Sequence, residues 1–448
     1  MSELRTLHEP ARDTPLMGEY DVVVLGGGPA GMTAAAAAAR AGCDTLLIER
    51  YGFLGGMGTA AGVTNFCGLH ANVYGEHRRV VEGIGGEFVD RIDALGGLCE
   101  PHVMFQGKIA AQAYDTAAYK LAADELVVGS GVKVLFHAHV AGVAMAGEDR
   151  IDAVFVETKS GRRAVRARLF IDASGDGDVA AAAGVPYEKG DGHGGMLYPS
   201  SMFRVNGVDP QRAGDAWNHF GRWMEQAERD GQRFARRTPI IRPQKNPTEW
   251  RANVTQLSNA DGSAVDGTDA WQLSEGELQG RRQIAEFIGF LRRYAPGFEH
   301  AYIHDIAPQV GIRETRRVVG EYQLTDTDVL QCASFGDTIG VNGWPIEAHV
   351  AGDVVFQFAD VPHVRGYNHL PLRMILPLKV DNLLVAGRCA SMTHLGQSAA
   401  RVTGACFVMG EAAGSLAAQA LAQDVRAREA DVARLQQTLR TNGVFLGD

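Results

Sequence analysis

Residues 20–50, YDVVVLGGGPAGMTAAAAAARAGCDTLLIER, constrain this chain more than any other stretch. Residues 22–25 are apolar without alternation, which suits a strand buried on both faces. Gly26, Gly28 and Gly31 then complete G-x-G-x-x-G. The first glycine permits a tight turn, the second lets backbone approach a pyrophosphate, and the third lets a helix lie close to the sheet. Pro29 and Ala30 open that helix, alanines fill 34–39, and its first N–H groups face the phosphates. Residues 45–48 read as the next strand. Glu49 ends it about 20 residues past the turn, where an acid accepts hydrogen bonds from a ribose 2′-hydroxyl. Strand, turn, helix, strand and acid together make a dinucleotide-binding βαβ unit, and the fold class expected is α/β.

The unit alone leaves FAD and NAD open, because both present adenosine diphosphate. The segment behind it discriminates. Arg50, Gly55, Gly56, Met57 and Thr59 belong to a glycine-dense run where an ordinary nicotinamide fold would proceed to its next helix. Such a loop lets backbone approach a bulky ring system. The pattern E-R-x-G-x-L-G-G-x-x-T at 49–59 resembles the glutathione-reductase-like FAD proteins, and specifically the broad FAD-dependent oxidoreductase family. Three further segments agree: ASGDGD at 173–178, GIRETRR at 311–317, and DNLLVAGRCASMTHLGQSAARVTGACFVMGEAAG at 381–414. The resemblance implies a Rossmann-like FAD-binding domain of parallel sheet plus β-meander, with an inserted mixed α/β substrate domain. It implies FAD contacts by Ala173, Gly175 and Asp176, by Gly387, Arg388 and Arg401, and by backbone near Val140.

The expected organisation is a polar arm at 1–19, FAD-binding segments at 20–190 and 371–425, a substrate domain at 191–370, and a C-terminal helix with its tail at 426–448. Residues 132–140 alternate as one strand, and 142–158 with 163–171 read as a meander. Within the substrate domain, 201–205 reads as a strand and 215–230 and 275–294 as helices, and the stretch 236–270 is Pro/Asn/Gly-rich. A small-residue helix is expected over 399–420 with Arg401 in its first turn. Its positive N-terminal end would favour an anionic reduced ring at the pyrimidine edge. The terminal helix places Val432, Leu435 and Leu439 on one face, to dock on its own core.

With 43 basic and 53 acidic residues, the net charge of −10 argues against a nucleic-acid surface. No apolar run reaches the ~18 residues of a membrane span, and the first 19 residues lack the apolar centre of a signal peptide. A cytoplasmic protein without a membrane partner is expected. The six cysteines form no C-x-x-C pair, so neither a metal site nor a redox dithiol is expected.

The chemistry expected is hydride transfer from a small organic substrate to flavin N5, by a dehydrogenase or oxidase. A monooxygenase supplied with electrons by NAD(P)H or an external reductase is the alternative. One dinucleotide fingerprint means no built-in nicotinamide domain, so the electron partner is external and unidentified. A proton acceptor is needed beside the hydride donor. His349 in WPIEAH and His394 in SMTHLGQ stand in segments that the resemblance brings to the flavin, and Arg313 could clamp a carboxylate or polarise a carbonyl. His70, as base or covalent anchor, Arg373 and Cys389 are weaker candidates. Neither substrate nor oligomeric state is written in the sequence.

Overall fold

The computed structural model describes residues 6–447. Val22, Val23, Val24 and Leu25 are fully buried because parallel neighbours and helices enclose them. Their strand, Leu16–Leu25, pairs in parallel with Thr45–Ile48 on one side and Gly161–Asp172 on the other. Thr45–Ile48 pairs in turn with Lys133–Leu135. The Gly161–Asp172 strand changes partner along its length. Residues 161–166 run antiparallel to Ile151–Thr158, which continues to His139–Met145, whereas residues 170–172 run parallel to Leu383–Val385. A parallel sheet and a meander therefore share one strand, as expected for this α/β class, in a sheet of seven strands.

In the first sheet and its helices, three boundaries differ from the sequence reading. Leu16 already stands opposite Ala164, so 16–19 belong to the sheet and not to the polar arm, whose first five residues lie outside the described ones. Residues 132–140 are two strands, because the chain must leave the parallel sheet to start the meander. It turns at His137, whose φ is 54°, and the His137 and Ala138 N–H groups donate to the carbonyls of Tyr51 and Glu49 at 3.2 and 3.1 Å. The helix expected over 399–420 is also two, His394–Ala400 and Thr403–Gln423, with Val402 extended between them and Arg401 in the joint.

Small residues bring the Thr403–Gln423 helix against Pro29–Arg40. A Cβ on Gly410 would stand 2.0 Å from the Ala30 carbonyl oxygen, and one on Gly414 2.1 Å from that of Ala34. Thr33 Oγ1 donates to the Phe407 carbonyl across the same contact at 2.9 Å. At 21 residues this helix is, against expectation, long and apolar enough to cross a bilayer. Its apolar window is nevertheless 83% buried inside the protein, which explains the composition by packing. The terminal helix is Val432–Thr441, and Leu435 and Leu439 are fully buried against the core.

A second core lies behind an antiparallel sheet ordered Ile240–Pro243, Trp250–Asn253, Phe203–Asn206, Tyr302–Ile306. Phe220, Trp250, Phe287, Phe290 and Phe298 fill it, from the sheet, from the helices Phe220–Arg229 and Ala270–Tyr294, and from the turn after the longer helix. That helix begins before residue 275 because Asp269 caps it, accepting from the Trp271 and Gln272 N–H groups at 3.0 and 2.9 Å. The expected helix over 215–230 is a short turn at Ala216–Asn218 followed by Phe220–Arg229. Two strands, which the sequence reading did not assign, occupy the Pro/Asn/Gly-rich stretch. The signal was present, since Asn246-Pro247 separates two runs rich in β-formers.

Candidate active site

A cavity of about 740 Å³ joins the glycine turn of the first sheet to the inner face of the second. Gly26, Gly28, Pro29, Ala30, Glu49, Arg50, Gly56 and Met57 line it, together with Val140, Ala173, Gly175, Gly387, Arg388 and Arg401. At the turn, Gly26 has φ +99°, and a Cβ there would meet the Ala173 carbonyl oxygen at 2.5 Å. Gly28 is different. Its nearest neighbour to an added Cβ is Gly56 Cα at 3.7 Å, so its outer side is open. Glu49 is 5% exposed and accepts from the Gly27 and Tyr51 N–H groups at 2.6 and 2.9 Å. Burial raises its pKa, and those two N–H groups work against the rise.

Four residues assigned to the cofactor by sequence stand behind the wall instead of in it. Gly31 packs on the turn, where a Cβ would come within 1.8 Å of the Gly26 carbonyl oxygen. Gly55 is covered by Thr59, whose hydroxyl donates to the Leu54 carbonyl at 2.7 Å and holds the loop. Asp176 lies under Arg388 at 2.7 Å and also accepts from Thr315 Oγ1 at 2.9 Å. Arg388 donates further to the carbonyls of Gly175 and Ile312 at 2.8 and 2.7 Å. One guanidinium thus ties three sequence motifs together.

These residues fit FAD. The open flank of Gly28 and the first-turn N–H groups of Ala30 and Gly31 offer a pyrophosphate cradle, and Glu49 stands where a ribose hydroxyl would donate. Val402 and Thr403, at the start of the Thr403–Gln423 helix, open on the same cavity, and the buried Arg401 Nε has no hydrogen-bond partner.

Of the three residues assigned to catalysis, His349 and Arg313 line the cavity and His394 does not. His394 Nδ1 is 3.0 Å from Glu314, which is fully buried beside Arg317. Arg313 donates to the Tyr198 carbonyl at 2.7 Å, Ser200 Oγ at 2.8 Å and Asn253 Oδ1 at 3.4 Å. Its guanidinium is largely engaged in bracing the second sheet, and burial lowers its pKa well below the usual value. His349 is 3% exposed and lies 3.0 Å through Nε2 from Glu347, a carboxylate that also accepts from Trp344 Nε1 at 2.8 Å. His70, Arg373 and Cys389 are outside the lining; Arg373 pairs with Asp337 at 2.9 Å, and the Cys389 sulfur packs on the Asp172 carbonyl. Sequence reasoning missed Arg242, Arg251 and Glu347, all of which line the cavity. The first two sit on the two strands of the Pro/Asn/Gly-rich stretch.

The sheet, the glycine turn and the cavity define a dinucleotide-binding protein of Rossmann type. The chain belongs to the FAD dependent oxidoreductase family, whose model matches residues 21–439. FAD is its cofactor. It is 29% identical over 219 residues to digeranylgeranylglycerophospholipid reductase 1 of Methanopyrus kandleri, a match covering 44% of this chain and 54% of the relative. Reductase 2 of the same organism is 33% identical over 167 residues, or 35% and 38% of the two chains. The matches thus span about half or less of these relatives' own length. Among solved structures, a geranylgeranyl bacteriochlorophyll reductase-like protein from Thermoplasma acidophilum aligns over 95% of this chain and 83% of its own, at 14% identity and a TM-score of 0.48.

Proposed function

We propose that the protein oxidises a small organic substrate as a dehydrogenase or oxidase, with His349 taking the proton released from the substrate O–H or N–H. The His349–Glu347 pair in the cavity wall is the observation that carries this reading. FAD, when bound, accepts hydride at N5. Burial, with Arg313 nearby, holds the His349 pKa well below its ordinary value, so the ring is neutral around pH 7. Burial alone would raise Glu347, but the hydrogen bond from His349, the Arg401 charge and the Trp344 N–H bring it below its ordinary value. As a carboxylate it accepts the Nε2–H and leaves Nδ1 as the basic nitrogen.

Because a lowered histidine pKa keeps the base neutral above that pKa, substrate-driven flavin reduction is expected to show no acid limb between pH 6 and 8. His349→Asn is expected to slow it by about 10²- to 10⁴-fold while dithionite reduction stays unchanged. Stopped-flow absorbance of the flavin across that pH range reads both. The reaction class is tested by anaerobic titration with dithionite, NADH and NADPH in turn, followed by air. Bleaching by dithionite alone, with stoichiometric hydrogen peroxide on reoxidation, supports the oxidase or dehydrogenase. Rapid bleaching by NADH or NADPH replaces that reading with a monooxygenase or reductase.

A further inference from the structure

Antiparallel pairing in the second sheet sets Arg242 directly opposite Arg251, and Arg251 directly opposite Arg204. Like charges facing each other on neighbouring strands are destabilising, so each cation calls for a carboxylate. Arg204 has two, Glu249 at 2.9 Å and Asp305 at 3.1 Å. Arg251 has none among the described residues. It is 6% exposed, its Nε is buried without a partner, and no hydrogen bond or ion pair reaches its guanidinium. Arg242 lies over the Trp217 ring, 5.4 Å from its centroid, and likewise lacks a carboxylate.

Strand alternation explains where Arg251 points. Trp250 and Ala252 enter the core behind the sheet, so Arg251 turns to the cavity, which Arg242 also lines. The carboxylates in the cavity wall are engaged elsewhere. Glu49 is held by two backbone N–H groups, Asp178 by Arg316 at 2.9 Å, and Glu347 by His349 and Trp344. The unmatched charge is felt at His102, on a strand, His102–Met104, of a separate small sheet where it pairs with Ile109–Ala113. Burial, then Arg251 and Arg242, bring the His102 pKa down to about 4, and its Nε2 is also without a partner. A buried guanidinium that feels the Glu347 charge only at a distance and has no directly paired carboxylate is costly, and an anionic ligand would reduce that cost.

We propose that Arg251 and Arg242 recognise the carboxylate of an organic acid substrate, whose apolar body rests on Val103, Phe105 and Phe356. The proposal depends on the reading of this cavity as the site of substrate oxidation. Guanidinium groups match a carboxylate through paired N–H donors, which a neutral isostere cannot reproduce. Phe105 and Phe356, with ring centroids 4.4 Å apart, supply an apolar surface in the same cavity.

The test is calorimetric titration of the oxidised, FAD-loaded protein with benzoate and phenylacetate, each against its neutral amide. Both acids are expected to bind at least about tenfold more tightly than their amides. Arg251→Met is expected to abolish the preference while leaving the flavin spectrum and dithionite reduction unchanged, and Arg242→Gln is expected to weaken it. Acids that bind no better than amides, or a preference that survives in both variants, overturn the proposal. Binding is read without turnover, so the two readings fail separately. A protein that holds the acids but never oxidises a substrate defeats the proposed reaction alone, and one that oxidises neutral substrates while ignoring acids defeats this inference alone.

Discussion

A Gly28→Val variant is expected to fold and to purify without flavin, whereas Gly410→Val is expected not to accumulate as folded protein. Gly28 has φ −72° and ψ −177°, extended backbone that any residue adopts. The nearest protein atom to an added Cβ is 3.7 Å away, an ordinary contact, so the fold does not oppose the substitution. The side chain would instead occupy cavity space beside the glycine turn. A loss of about 3 kcal/mol, roughly a hundredfold in FAD affinity, is expected. Gly410 is the opposite case. Its Cβ would stand 2.0 Å from the Ala30 carbonyl oxygen and 2.2 Å from Thr33 Oγ1, inside a contact between two buried helices. Overpacking of this kind typically costs about 1–3 kcal/mol, and more where backbone must move. The absorbance ratio at 450 and 280 nm, circular dichroism and the thermal midpoint separate the two outcomes. Stoichiometric flavin in Gly28→Val would refute the assignment of the turn to the pyrophosphate.

The glycine turn was legible because its chemistry is local. Gly26, Gly28, Gly31 and Glu49 act within one βαβ unit, and spacing along the chain fixes spacing in the sheet. Supporting residues were legible as motif members but not by position. Asp176 and Thr59 belong to the right segments, yet only the fold shows that Arg388 covers the first and that the second holds a loop. The far wall was not legible. Arg251 looks like a surface cation in a polar stretch, and becomes a buried one only because Trp250 and Ala252 pack behind it and Arg242 pairs opposite. The break at Val402 escaped for the same reason. Val402, Thr403 and Gly404 are weak helix formers between two helical runs, but the break is fixed by packing, since a Cβ on Gly404 would stand 2.2 Å from the Gly68 carbonyl oxygen, a contact from outside the helix.

Glu314→Ala is expected to destabilise the protein by about 3–5 kcal/mol, and Glu314→Met with Arg317→Met to recover most of that loss. Glu314 accepts from the Leu197 N–H at 2.9 Å, from His394 Nδ1 at 3.0 Å and from Arg317 Nη1. Arg317, with its side chain 3% exposed, donates further to the carbonyls of Met392 at 3.0 Å and Gly190 at 2.8 Å. The pair therefore clamps three passages of the chain, around 190–197, 314–317 and 392–394, that connect the two sheets and the final helices. Removing the acid leaves the buried guanidinium only the half-exposed Glu188, 3.5 Å away, as a carboxylate partner, whereas removing both charges leaves apolar volume that the site can bury. Denaturant unfolding of the two single methionine variants and the double closes a cycle, and additive losses would show that the pair is not coupled. Glu314, Arg317 and His394 all lie outside the cavity lining. Folded Glu314→Ala is therefore expected to keep its flavin and the substrate-driven reduction rate of the parent. A rate that collapsed with flavin content intact would move the proton acceptor from His349 to His394, whose ring orientation Glu314 fixes.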